Sequence, residues 1–101
     1  MQVYVAICNY IMTRTKEQNQ SNIRISDHYI GVYSTLEKAI QACQDFIVGI
    51  SKEIGYDVEH HHCYVDGLCP VEGITEVVCG RRYDGTRRID CSCEIMHESV
   101  D

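Results

Sequence analysis

A chain of 101 residues with 45% hydrophobic and 24% charged residues and one proline has the size and apolar content of one compact domain, residues 1–101, and not of a disordered chain. No apolar run reaches the ~18–20 residues that cross a bilayer, so a membrane-spanning helix is excluded. The formal charge of -6 and the seven cysteines, an odd number without a CxxC pair or a secretory leader, predict a cytoplasmic acidic protein with free thiols.

Residues 2–12 read as a strand with apolar positions on both faces. Val3, Val5, Ile7 and Ile11 alternate with Tyr4, Ala6, Cys8, Tyr10 and Met12, the pattern of an interior strand. A polar loop over 13–22 leads to a second strand, Ile23 to Tyr33, predicted to pair antiparallel with the first. Ser34-Thr35-Leu36-Glu37 then fits a capping box. Leu36, Ala39, Ile40, Cys43, Ile47, Ile50 and Ile54 follow at steps of three and four, one apolar stripe of a helix stopped at Gly55. A third strand is expected over Val58 to Val65, then an irregular link over 66–73 containing Pro70 and Gly73.

Asp84-Gly85 is a favoured two-residue hairpin turn, and strands are expected over Ile74–Tyr83 and Thr86–His97. If Tyr83 faces Thr86, then Val78 faces Cys91, Glu76 faces Cys93 and Ile74 faces Ile95, on a shared core face. The predicted fold is α+β: one amphipathic helix on a mostly antiparallel sheet of about five strands, in the order ββαβββ.

The same register places Arg82 opposite Arg87 and Arg81 opposite Arg88, around Tyr83. Residues 81–88 hold four arginines and one aspartate, a cationic tip on an acidic chain. Like charges opposite one another on a ladder oppose folding. Arginine forks bind phosphate or carboxylate bidentately, and tyrosine stacks on bases. Arg81, Arg82, Tyr83, Arg87 and Arg88 are therefore the candidate partner-binding residues. The acidic remainder disfavours extended duplex DNA, which needs a long basic face. The acidic residues Glu53, Asp57, Glu59, Asp66, Glu72 and Glu76 read as a soluble surface, with mimicry of nucleic-acid phosphates as the functional alternative.

His60-His61-His62-Cys63, with Cys69 six residues on, offers a zinc alternative through His60, His62, Cys63 and Cys69, without a second paired motif to complete a tetrahedral site. The leading expectation is no cofactor. No GxSxG, phosphate loop, dinucleotide fingerprint or HExxH is present, so a non-enzymatic protein is expected.

Ile30-Gly31-Val32-Tyr33-Ser34-Thr35-Leu36-Glu37-Lys38-Ala39 resembles small phage and bacterial α+β proteins. Those share an apolar first strand, an I-G-V-[FY]-[ST] strand and a capped helix with E-K-A. The resemblance covers about the first 60 residues and implies a phage or mobile-element origin. It implies an anti-defence role, anti-CRISPR proteins included: inhibition of a host nuclease or its ribonucleoprotein complex by protein–protein or guide-RNA contact. The apolar strand faces fit a monomer or a homodimer paired through an exposed strand edge. The alternatives are a zinc-stabilised module and a small RNA-binding domain using the arginine-rich tip.

Overall fold

The structure, a computed structural model, describes residues 1–14, 22–53, 58–66, 73–83 and 87–100; at 10–14, 22–26, 78–83 and 87–90 the description is of backbone and register. Strands β1 (Gln2–Arg14), β2 (Asn22–Tyr33), β3 (Cys63–Asp66), β4 (Ile74–Tyr83) and β5 (Arg87–Ser99) and helix α1 (Leu36–Glu53) follow in the order ββαβββ. The strands build one antiparallel sheet ordered β2-β1-β5-β4-β3. The α+β architecture predicted from periodicity is the one observed.

β1 and β5 pair without interruption from Gln2–Ser99 to Arg14–Arg87. This ladder is the spine of a molecule with extents of 53 × 23 × 21 Å. Its far end is closed by reciprocal main-chain bonds: Val100 N donates to Met1 O at 2.7 Å, and Met1 N donates to Val100 O at 2.9 Å. Tyr4 and His97, opposite each other beside that closure, stack with ring centroids 4.7 Å apart.

α1 covers one face of the sheet. Ala6, Cys8, Val77, Cys91, Cys93 and Ile95 from the strands meet Ala39, Cys43, Ile47 and Val48 from the helix, all buried. Ile47 and Ile95 are the largest fully buried side chains, each contributing roughly 1.5–3 kcal/mol by leaving water. The helical stripe is wider than the sequence pattern, because Val48 and Ser51 are also buried. Capping shifts by one residue from expectation. Thr35, not Ser34, is the cap: Lys38 N donates to Thr35 Oγ1 at 3.3 Å. The helix starts at Leu36, which puts Glu37 one position too early to close a capping box. The predicted stop at Gly55 lies outside the described residues.

The β4–β5 register corrects the sequence reading. Thr75 faces Ile95, Val77 faces Cys93 and Cys79 faces Cys91, so Val77, not Glu76, points into the core, and the expected Val78–Cys91, Glu76–Cys93 and Ile74–Ile95 pairs are not formed. A slip of one residue exchanges the two faces of a strand, and Val77 is fully buried. Between Cys79 and Arg82 the register shifts again: Gly80 and Arg81 oppose Asp90 alone, a β-bulge. Beyond it Arg82 faces Ile89 and Tyr83 faces Arg88. The expected Arg82–Arg87 and Arg81–Arg88 pairs are not formed, and Tyr83, expected opposite Thr86, pairs with Arg88. Residues 84–86 lie outside the described residues.

The third strand is also shorter than predicted. His60–His62 form a single 3₁₀ turn, and β3 begins only at Cys63. His62 N donates to Glu59 O, and Glu59 N donates to His62 Nδ1, both at 2.9 Å. Glu59 is extended at the cap of this turn, so the backbone turns where alternation alone reads a continuous strand.

Candidate functional site

The ladders bring the sequence-predicted cations to one end of the sheet and add two arginines the sequence reading left out. Arg14 at the end of β1 pairs with Arg87, and Thr13 with Arg88. Tyr83 pairs with Arg88 from the other side. Arg24 near the start of β2 pairs with Ile11, which pairs with Asp90. Arg14, Arg24, Arg81, Arg82, Arg87 and Arg88 are all six arginines of the chain, and each occupies a strand position toward this end. Only pairing along three ladders, β1–β2, β1–β5 and β4–β5, assembles them, and spacing along the chain cannot show that.

This end projects past the helix-backed core. From buried Cys8 to Arg14 is six residues, about 20 Å along a strand. Both flanking strands bulge where the sheet leaves the helix. In β2, Ser26 and Asp27 oppose Asn9 alone between the Cys8–His28 and Tyr10–Ile25 pairs. Asp27 takes φ 54°, a left-handed conformation that aspartate accepts more readily than most residues. Its amide donates to Asn9 Oδ1 at 3.0 Å, which fixes the bulge. The β4 bulge at Gly80–Arg81 lies opposite Asp90, within two residues of the same level along the spine. Bulges increase twist and re-aim a strand, so the arginine end has its own orientation relative to the core.

The zinc alternative divides. His60 Nε2 lies 2.7 Å from Asp45 Oδ1 on α1, and Gln41 Nε2 donates to the same oxygen at 3.0 Å. These contacts, His60 first, hold the Asp45 carboxyl below its ordinary value. His62 Nδ1 caps its own turn, His61 Nδ1 lies 3.3 Å from Glu59 Oε2, and Cys63 is buried. No group of three or more His, Cys, Asp or Glu side chains is placed to hold a metal ion among the described residues. Cys69 lies outside them.

Thiols concentrate beneath the helix instead. Cys8, Cys43, Cys63, Cys91 and Cys93 are buried and form no disulfide, and Cys79 pairs in register with both Cys63 and Cys91. Cys8 Sγ sits 3.7 Å from Cys91 Sγ, and Cys93 Sγ lies 4.0 Å from Cys43 O. Sulfhydryl contacts from Cys91 and then Cys93 pull the Cys8 thiol down to about 4, against the effect of burial. The Cys93 thiol is pushed up, first by its contact with Cys43 and then by Cys8. The two coupled thiols are thus shifted in opposite directions, Cys8 down and Cys93 up.

The opposite sheet face is not covered by α1. Tyr29, Val32 and Tyr64 stand on it 59%, 49% and 54% exposed, alongside half-buried Val3, Val5, Ile7 and Met96. Asp66 faces Glu76, and Glu76 faces Glu94, in one row across β3, β4 and β5. Of the acidic residues singled out in the sequence, Asp66 and Glu76 therefore meet. Glu94, the third of the row, carries no local signal in the sequence. Among the described residues no helix is long and apolar enough to cross a membrane. Comparison with protein-family models, with curated proteins and with solved structures finds no match in any of the three.

Proposed function

We propose that this chain is a non-enzymatic binding protein of phage or mobile-element origin, which inhibits a host defence complex such as CRISPR–Cas by docking its arginine end on an anionic surface of that complex. The observation that carries the reading is the strand register that gathers all six arginines beyond the helix-backed core. Opposing Arg14 to Arg87 works against folding. Planar guanidinium groups on a projecting end fit carboxylates of a protein or phosphates of a guide RNA. Much of the chain's nucleophilic and ligand chemistry serves other ends. The described thiols pack under the helix, and the His60–His62 turn is tied to Asp45 and Glu59.

The test is capture of host nuclease complexes by the whole chain, together with protection of phage or plasmid in cells carrying the defence system. Alanine at Arg14, Arg81, Arg82, Arg87 and Arg88 together is expected to abolish capture and protection while leaving the circular-dichroism spectrum unchanged. Full activity of that variant, or no capture and no protection by the wild-type chain, refutes the proposal. If the contact is to phosphates, capture falls steeply as salt is raised, by roughly one decade in affinity per decade of salt for each phosphate neutralised.

A further inference from the structure

Helix α1 carries a glycine that the fold does not need. Gly49 is exposed, four residues before the helix ends at Glu53. A Cβ built there meets no atom within 4 Å, so no neighbour requires its absence. Glycine is among the most unfavourable residues in a helix interior, and alanine the most favourable. The missing side chain leaves the floor of a cavity of about 360 Å³ between α1 and β2, lined by His28, Asp45, Phe46, Gly49, Ile50 and Glu53. It is an open groove, since His28, Asp45, Gly49 and Glu53 are all exposed.

We propose that this cavity binds an organic cation: a guanidinium or primary ammonium group on a short aliphatic stem. Asp45 and Glu53 contribute two carboxylates, and among the described residues no lysine or arginine lines the site. His28 and Phe46 stack with centroids 4.9 Å apart and planes 23° from parallel, an aromatic wall fixed across the α1–β2 junction. An aromatic face with nearby carboxylates is the usual setting for a cation, and Ile50 offers contact to the stem. Ile50 and Glu53 lie in the last turn of α1, where the helix dipole favours positive charge. Asp45 is oriented through one oxygen, Oδ1, by Gln41 and His60, and a carboxylate offers about four acceptor sites. The site shares no residue with the arginine end, and the two readings stand or fall separately.

The probe is n-butylguanidinium, titrated into the whole chain with backbone amide shifts as readout, against neutral n-butylurea of the same shape. Binding with a dissociation constant on the order of 1–10 mM is expected for so small a ligand, with shifts centred on His28 and residues 45–53. Gly49→Ala is expected to raise the melting temperature by roughly 4–8 °C and to weaken binding at least about tenfold, because its methyl occupies the floor. Glu53→Gln is expected to weaken binding without changing stability. Two further arms locate the source of the cation. Tighter binding of a blocked Gly-Arg-Gly peptide assigns the site to a protein side chain; tighter binding of spermidine assigns it to a free polyamine. Equal binding of butylurea, absence of shifts at these residues, or unaltered affinity in a more stable Gly49→Ala variant overturns the proposal.

Discussion

Glu76 faces a carboxylate on each side, Glu94 on β5 and Asp66 on β3. Glu76→Gln keeps the side chain's shape and removes its charge, so its effect isolates electrostatics. Facing carboxylates about 6 Å apart repel by about 0.7 kcal/mol per pair in a water-like dielectric. At 0.1 M salt, with a screening length of about 10 Å, roughly half of that survives. Two pairs then give a gain of about 0.8 kcal/mol, within the range measured for facing side chains on a ladder. For a domain of this size that is a rise of roughly 3–6 °C in melting temperature. Urea denaturation and thermal melting at 0.1 M and 1 M salt provide the assay. At 1 M the screening length falls to about 3 Å, and most of the gain is expected to vanish. Glu98→Gln is the internal control: Glu98 faces Val3, and its substitution is expected to change stability little. A destabilised Glu76→Gln protein, or a gain of equal size at 1 M salt, refutes the reasoning. A gain that disappears with salt shows that the fold carries a repulsive row beside exposed Tyr64, a cost of the kind proteins keep where activity requires it.

Two further predictions concern the core. Ser51 is fully buried, and its hydroxyl has no hydrogen-bond partner among the described residues. Ser51→Ala is therefore expected to stabilise the protein by about 1–2 kcal/mol in urea denaturation, and a loss of stability contradicts this. The lowered Cys8 thiol sets a pH dependence. Between about 4 and the ordinary thiol value of 9.0, the unfolded chain holds one more proton than the native one. Stability from this group thus rises with pH by at most about 1.4 kcal/mol per unit, is complete above the unfolded value, and is lost as pH falls toward 4. Cys8→Val is expected to flatten the pH slope of unfolding free energy relative to wild type, and parallel slopes refute the assignment.

The elements of this fold were legible wherever local pattern and tertiary burial agree. The helical stripe from Leu36 to Ile50 and the double-faced apolar β1 give both elements their type, and the element order follows. Register was legible only in part, because it depends on two-against-one irregularities that alternation does not reveal. Asp84-Gly85 is a strong turn signal, yet extending an ideal ladder from it put Glu76 in the core and Val77 outside. The observed partner of Cys93 is Val77, the choice that buries an apolar side chain and leaves a carboxylate wet. At the histidines, the intact alternation of His60 and His62 concealed a turn built from His62 Nδ1 and the Glu59 amide. The convergence of Arg14 and Arg24 on the hairpin arginines depends on pairing between β1, β2 and β5, contacts separated by tens of residues.

The β4 bulge explains how so cationic an end folds at all. Continued without interruption, the register that pairs Cys79 with Cys91 would place Arg82 opposite Arg88 and Tyr83 opposite Arg87. The extra residue at Gly80–Arg81 moves β4 by one, so that Arg82 faces Ile89 and Tyr83 faces Arg88. A like-charge register pair, worth about 0.2–1 kcal/mol of repulsion, is replaced by arginine opposite isoleucine and tyrosine opposite arginine. Glycine at position 80 suits a strand that must open there. The repulsion that the sequence places between β4 and β5 is thus relieved by geometry, while Arg14 and Arg87 on the uninterrupted β1–β5 spine stay directly opposed. The bulge thus removes one like-charge register pair from the β4–β5 ladder, and the β1–β5 spine keeps the other.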